Sequence, residues 1–361
     1  NYFKSIEIDL LPVLIDMQFN GIFIDKEYLE NRSNEIGKKI ESLESEIINL
    51  AGEEFNLNSS QQLAVILFDK LKLPMIKKRS TAEGVLSELK DKHPLPELIL
   101  SYRKLYKLKN TYLDPLPSYI ISDTQRVHSS FNQTMTATGR LSTSSPNFQN
   151  IPIRTEDGKE IRKAIKAQSN EYQIFSADYS QVELRVMAHL SGDESLISAL
   201  NNGEDIHTFT AKNIFNVDND DMVLPEMRRI AKIVNFGIMY GAGPFRLSQE
   251  LDIPFGEAKQ IKDAYFQKYQ GIEQYIENSK LQIKETKSVE TLLGRRRAVW
   301  DSDSQNKIRR DAAERMAINM PIQGTAAEMI KLAMIKIHRQ MNKENLKSKL
   351  IMQIHDELLL E

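Results

Sequence analysis

The sequence predicts an α+β protein of two or three domains, mostly helical, with a few short strands set beside acids. Three observations carry this. The 361 residues correspond to two or three units at roughly 150 residues each. Helical patterning dominates residues 25–55, 205–285 and 307–341. Against it stand short apolar runs at residues 172–178, 350–354 and 358–360, the first ending in Asp178 and the other two flanking His355-Asp356-Glu357.

Composition narrows the class. Hydrophobic residues make up 41% and charged residues 27%, ordinary for a soluble globular chain with a sizeable core. The longest apolar runs, such as residues 10–15, fall far short of the roughly 20 residues of a membrane span, so no membrane partner is expected. With no cysteine, disulfides and thiolate zinc sites are excluded, which fits a reducing compartment. The opening NYFKSIEIDL is polar and is no secretory signal. The chain opens on Asn1 and stops at Glu361 inside a strand-like run, so a fragment of a longer protein is expected. The net charge of −2 weighs mildly against a nucleic-acid binder, although a large protein can carry basic stripes locally.

Each element has its own signal. Asp25 is an N-cap candidate for a long polar helix over residues 25–55. Ser59 or Ser60 caps a helix over 59–71, and another covers 81–91. Tyr102 to Lys109 interleaves basic and aromatic residues. That pattern suits a solvated amphipathic helix or a helix lying along phosphates, and spacing leaves both open. Residues 127–153, rich in Thr, Ser, Gly, Asn and Pro, read as loops and extended chain. A strand over 172–178 leads into a helix over 182–190. The helical stretch 205–285 breaks near Pro225, Gly241–Pro244 and Pro254. Residues 307–341 form one or two helices around Pro321. Residues 350–360 read as strand–turn–strand.

Four groups carry chemistry. Asp178 ends a strand and opens Asp178-Tyr179-Ser180-Gln181-Val182-Glu183-Leu184-Arg185; a lone acid there is more often a helix N-cap than a cation ligand. Arg228, Lys232, Phe236 and Tyr240 recur every four residues, a stripe that drifts slowly round one helical face. Its cationic half and aromatic half match the polarity of a nucleoside triphosphate, but the same spacing suits core aromatics with charges at their rim. Asp356 and Glu357 sit in a turn between apolar strands, where exposed acids are common. Arg315, Asn319 and Gln323 line one helical face with donors suited to minor-groove edges, or to a solvated polar face.

Together these segments resemble the family A DNA polymerases, the bacterial DNA polymerase I branch in particular. Asp178 to Arg185 resembles motif A, Arg228 to Gly241 motif B, and Ile354 to Leu358 motif C. Thr138-Gly139-Arg140-Leu141-Ser142 and Asn147-Phe148-Gln149-Asn150-Ile151-Pro152 resemble the primer-side loop. Asp205-Ile206-His207 and Gln323-Gly324-Thr325-Ala326-Ala327 also fit. The resemblance runs from about residue 5 to the end, in the family's order and spacing.

The resemblance implies a right-hand polymerase: residues 1–118 thumb, 119–190 first part of the palm, 191–308 helical fingers, 309–361 the rest of the palm, with an antiparallel sheet that joins Asp178 to Asp356. It implies extension of a primer 3′-hydroxyl with deoxynucleotides on primer–template DNA, in replication or repair, by a monomer of the bacterial nucleoid or its phage or organelle equivalent. Asp178, Asp356 and the Tyr179 carbonyl would hold two Mg²⁺ ions roughly 4 Å apart, supported by Glu357. Arg228, Lys232 and His207 would hold the triphosphate, and Lys232 would protonate the leaving pyrophosphate. Phe236 and Gln181 would border the incoming nucleotide, Glu183 would exclude a 2′-hydroxyl, and Tyr240 would stack at the templating position. Arg140, Asn150, Arg315, Asn319 and Gln323 would contact the duplex. The family continues past motif C, which this chain does not. Asp25-x-Glu27 and Tyr119-x-x-x-Asp123 only mimic proofreading motifs, so no proofreading is expected. A single-subunit RNA polymerase is disfavoured by Glu183, and a non-catalytic primer–template binder by intact Asp178, Lys232 and Asp356.

Overall fold

The computed structural model describes residues 2–151 and 156–361, and its contacts divide the chain into two compact units. The first comprises Gln18–Ser130, Thr143–Phe175 and Glu361. Its main helix, α1 (Lys26–Ala51), starts where expected because the Asp25 side chain accepts the Tyr28 N–H at 2.9 Å, a cap worth about 1 kcal/mol. Gly52, at φ +75°, ends it in the left-handed conformation that glycine adopts most easily. Leu29, Ile36, Ile40 and Ile47 form its buried face, each contributing about 1.5–3 kcal/mol by burial. That face packs on α2 (Pro94–Leu108), which opens with proline in its first turn.

The basic–aromatic segment lies in α2 and the turn after it, and its contacts are largely internal. Tyr102 and Leu108 are buried. Arg103 donates to the Thr81 carbonyl at 2.6 Å, and Lys109 to Ser33 and Asp114. The buried Tyr102 and Leu108 give the segment an amphipathic face, while Lys104 and Lys107 remain exposed. The short strands β1 (Ile22–Phe23), β2 (Ile120–Ile121) and β3 (Arg126–Val127) form a sheet with β3 in the middle. Arg126 is buried there against Glu361, Gln168 and the Gly21 carbonyl. Asp25, besides capping α1, pairs with Lys166 at 2.7 Å.

The second unit comprises Asn1–Met17, Phe131–Ser142 and Ser176–Leu360. Strand β4 (Phe175–Asp178), of which Ser176–Asp178 belong here, starts three residues later than expected. Helix α3 (Val182–Ser191) follows, then α4 (Glu194–Asn201), α5 (Ile206–Phe215), α6 (Pro225–Met239), α7 (Pro244–Leu251), α8 (Phe255–Lys268) and α9 (Gln270–Thr286). The breaks fall at the expected prolines because Pro225 and Pro244 each open a helix, where the missing N–H costs nothing. Asp193 caps α4 and also accepts the Gly271 N–H at 2.9 Å. A Cβ at Gly271 would lie 2.8 Å from the Asp193 backbone, so the start of α9 can approach α4 only with glycine there.

A hairpin of β5 (Ser288–Glu290) and β6 (Arg296–Ala298) leads to α10 (Lys307–Lys343), one continuous helix of 37 residues with Pro321 inside. Interior proline costs about 3 kcal/mol, and burial of Ala317, Ile318, Met320, Ile322, Ala326, Ile330 and Met334 along the same helix offsets it. The chain then forms β7 (Leu350–Ile354) and β8 (Glu357–Leu360), antiparallel, with Glu357 opposite Ile354. Only His355 and Asp356 connect them. His355 has φ +54°, as the first residue of a primed two-residue turn requires. In the sheet β8 lies between β4 and β7. Leu350 and Leu358 pack with Leu10, Leu14, Leu141, Ile330 and Met334, and this core holds the turn in place.

Candidate active site

The strand order places Asp178, at the end of β4, next to the β7–β8 turn. The Tyr179 N–H donates to the Asp356 carbonyl at 3.2 Å and ties the two acidic segments together. Burial pushes the Asp178 carboxyl above its usual range, and the charges of Asp356 and Glu357 add to this. Burial likewise raises Asp356, against the opposing charges of Arg140 and His355. A carboxyl raised by burial and by neighbouring acids, as Asp178 is, sits in negative potential that a hard cation relieves. Glu357 accepts from the Ser176 hydroxyl at 2.5 Å across the sheet.

Gln181 stands between strand and helix with φ +53°, a conformation uncommon outside glycine. It gives the sharp turn that starts α3. One residue into that helix's first turn, Glu183 is 5% exposed. The Arg140 guanidinium and the Tyr240 hydroxyl, the latter at 2.8 Å, both donate to it. Burial still pushes this carboxyl up. Gln323 is hydrogen-bonded to Tyr240 in turn.

The α6 stripe is laid out as its spacing implies. Arg228, near the helix start, makes a two-pronged contact with Asp205 at 2.7 and 3.2 Å. Burial would raise Asp205, but Arg228 and the Thr208 N–H bring it down to about 2. Lys232, one turn on, has no salt bridge or hydrogen bond among the described residues. The Phe236 ring lies 5.7 Å from His207 and 6.4 Å from Tyr240, stacked on the latter at 27°. His207 is buried, and this pulls its pKa down to about 4; Asp205 opposes the shift, while Lys232 and Arg228 reinforce it. The ring is therefore neutral near pH 7 and can act only as a neutral donor or acceptor.

Arg315, Asn319 and Gln323 share one side of α10. With Ala137, Thr138, Tyr240, Arg246 and Arg297 they line a groove of about 410 Å³. The Asn319 Oδ1 is buried without a hydrogen-bond partner among the described residues, an unmet acceptor of the kind that costs about 1–3 kcal/mol. Gly241, at φ +70°, lets the end of α6 lie against Arg315; a Cβ there would meet the Arg315 Cγ at 3.0 Å.

Every site residue singled out in the sequence lies in this one unit except Asn150, whose side chain is outside the described residues, as is Pro152 of the same motif. Some functional partners were not foreseen. Asp205 holds Arg228, and Arg140 holds Glu183. Asn235, Thr210 and Tyr269 form a buried polar cluster beside His207. Arg246 and Arg297 add cations to the groove. The motif segments include Arg140, Asp205 and Asn235 but do not name their partners, and no local pattern marks the others, because each meets its partner only through packing.

Among the described residues, no group of three or more His, Cys, Asp or Glu side chains comes together as a complete metal cage. The pair Asp178 and Asp356 nevertheless fits Mg²⁺, which takes hard oxygens, often from one or two carboxylates, and keeps its other positions for water and substrate phosphate.

A small sheet with paired carboxylates, beside a helix whose stripe runs from cationic to aromatic, is the layout of an α+β polymerase domain. Residues 26–361 match the model of DNA polymerase family A, and the chain belongs to that family. It is 48% identical over 365 residues to the thermostable DNA polymerase I of Thermus aquaticus, covering 99% of this chain and 43% of that protein. It is 45% identical to DNA polymerase I of Bacillus subtilis over 363 residues, covering 99% of this chain and 41% of that protein. The chain thus spans less than half the length of the curated relatives it matches. Among solved structures it resembles the POL domain of Pol1 from M. smegmatis, in complex with DNA primer-template and dNTP. That match has a TM-score of 0.94 and 40% identity, and it covers 99% of this chain and 63% of that one. No helix among the described residues is long and apolar enough to cross a membrane.

Proposed function

We propose that this chain extends DNA primers, adding deoxynucleotides to a 3′-hydroxyl on a template strand as a monomer in replication or repair. The observation that carries the reading is the bond from the Tyr179 N–H to the Asp356 carbonyl, which ties together two acidic segments whose carboxyls burial pushes up. Its relatives are named as DNA polymerases, and the structural neighbour holds primer-template and dNTP. We assign residues 1–118 to a thumb, 119–190 and 309–361 to a palm, and 191–308 to fingers.

The residues divide the work by charge. Asp178 and Asp356, with the Tyr179 carbonyl and with Glu357 beside them, would hold two Mg²⁺ ions. Bound there, the ions supply a lowered pKa at the primer hydroxyl and neutralise the departing pyrophosphate. Lys232, unpaired, offers its ammonium to the triphosphate and a proton to the leaving group. Arg228 is held by Asp205 and reaches the phosphates from that anchored position, and neutral His207 contributes an N–H. Phe236 and Gln181 border the nucleotide's base and sugar. Glu183, fixed between Arg140 and Tyr240, occupies the space a 2′-hydroxyl needs. Tyr240 stacks at the templating base, while Arg315, Asn319 and Gln323, with Arg140 and Asn150, contact the duplex.

Primer extension with Mg²⁺ on a primed template, comparing deoxy- with ribonucleotides, tests this. The expected result is extension with deoxynucleotides, reduced by roughly a thousandfold or more in Asp356→Asn, as loss of several kcal/mol of charge stabilisation implies. Tight primer–template binding without extension, unchanged by the substitution, would instead mark a non-catalytic binder. Efficient ribonucleotide use would mark an RNA polymerase.

A further inference from the structure

We propose that Asn235 is a positioning residue: it holds His207 in the tautomer with its proton on Nε2, so that this N–H is presented to the triphosphate. The inference rests on the polymerase reading and adds to it a residue that touches no substrate.

Asn235 lies on α6, one position before Phe236 and three after Lys232, and is 1% exposed. A buried amide is costly unless each of its polar atoms finds a partner. Here those partners lie on α5. The Asn235 Nδ2 is 3.2 Å from the His207 Nδ1 and 3.1 Å from the Thr210 hydroxyl, which lies 3.3 Å from the Asn235 Oδ1. His207 and Thr210 are three residues apart and so share one helical face. Thr210 is fixed in turn by the buried Tyr269 hydroxyl at 2.8 Å.

An amide nitrogen has only protons to offer. With the amide in this orientation, the His207 Nδ1 facing it is the lone-pair atom. A neutral imidazole carries one proton, which then belongs to Nε2. That nitrogen makes no hydrogen bond among the described residues. The charged groups that face the ring are Asp205 on its own helix and Arg228 and Lys232 on α6. Two cations and one neutral donor then converge where an anion is to bind. The opposite amide orientation would satisfy the same buried cluster but would turn a lone pair toward the phosphates. The two arrangements are equal as packing and opposite as binding sites, so the binding consequence is what separates them.

The tautomer is read directly from ¹⁵N shifts of histidine-labelled protein, with the His207 signal assigned by its loss in His207→Gln. The expected result is a protonated Nε2 and an unprotonated Nδ1 from pH 5.5 to 8; a proton on Nδ1 overturns the proposal. Asn235→Asp tests the consequence with almost no change of shape. The new carboxylate accepts a proton from Nδ1. At low pH the ring is doubly protonated and still donates from Nε2; at high pH its one proton stays on Nδ1 and Nε2 becomes a lone pair. The ratio of variant to wild-type KM for dATP is expected to rise from near unity at pH 6 to about tenfold at pH 8.5, with kcat little changed, as loss of a hydrogen bond to a charged group implies. Asp205, at about 2, does not titrate in that window, and Tyr269, pushed up by burial, stays neutral. Adding His207→Gln to the variant is expected to abolish the pH dependence. A ratio that is flat with pH in Asn235→Asp overturns the proposal. A wild-type chain that does not extend primers sinks the polymerase reading and the triphosphate with it, whereas the tautomer stands or falls on the spectrum alone.

Discussion

At Glu183 a single carboxylate serves two neighbours and one proposed function. Arg140 and Tyr240 both donate to it, and burial raises its pKa. Removing it in Glu183→Ala leaves two donors short of an acceptor, at a cost of about 1–3 kcal/mol, and opens the space assigned to sugar discrimination. The expected outcome is a gain of about tenfold or more in relative kcat/KM for ribonucleotides, alongside a lower denaturation midpoint. Single-nucleotide incorporation assays check it; unchanged discrimination with lost stability would make Glu183 a structural residue only. The motif around Glu183 was legible in the sequence. That Arg140 and Tyr240 hold it was not, because they lie 43 and 57 residues away.

At the scale of the element, α10 combines a core face with one that lines a groove. Its buried side carries Ala317, Ile318, Ile322 and Ala326, while Arg315, Asn319 and Gln323 line the groove. The stripe of four-residue spacing announced this division beforehand. Gly324 has a reason the stripe did not announce. A Cβ there would lie 2.6 Å from the Thr291 Cγ2 and 3.1 Å from the Thr138 carbonyl, so the helix, the hairpin and the loop carrying Arg140 meet at this glycine. In Gly324→Ala the better helix propensity, roughly 1 kcal/mol, competes with overpacking of about 1–3 kcal/mol. Backbone on one side cannot yield as a flexible side chain does, so net destabilisation is expected, with weakened primer–template binding because the Thr138–Arg140 loop shifts. Denaturation midpoint and a DNA-binding titration check both; a variant more stable than wild type would show that the loop gives way freely.

For the molecule as a whole, the N-terminal segment is anchored by a buried charge cluster. Lys331, 1% exposed, donates to Glu7 at 2.7 Å, and Arg295, Tyr2 and Gln133 donate to the same carboxylate. Burial alone would raise Glu7, but the hydrogen bonds from Lys331, Tyr2 and Gln133 and the charge of Lys331 hold it below its usual range. A depressed carboxylate contributes stability above its unfolded pKa, which is lost as pH falls through the folded value. Lys331→Met leaves Glu7 short of a buried partner and is expected to cost about 3–5 kcal/mol. Adding Glu7→Gln removes the stranded charge while keeping an acceptor for Tyr2 and Arg295, so part of that loss is expected to return. A double-mutant cycle from urea denaturation checks it; strict additivity would mean the two groups do not interact.

Much of this protein was written locally. The Asp25 cap, the proline-opened helices, the 355–356 turn and the four-residue stripes follow from backbone geometry and side-chain period, which involve neighbours a few residues apart. The family resemblance likewise pointed to Asp178, Lys232 and Asp356 before any coordinates. Tertiary structure alone decided which polar groups meet in the interior: Glu183 with Arg140 and Tyr240, His207 with Asn235, and Lys331 with Glu7, 324 residues apart. Such pairs leave no periodic trace, because burial makes each partner indispensable only after packing has brought the distant segments together.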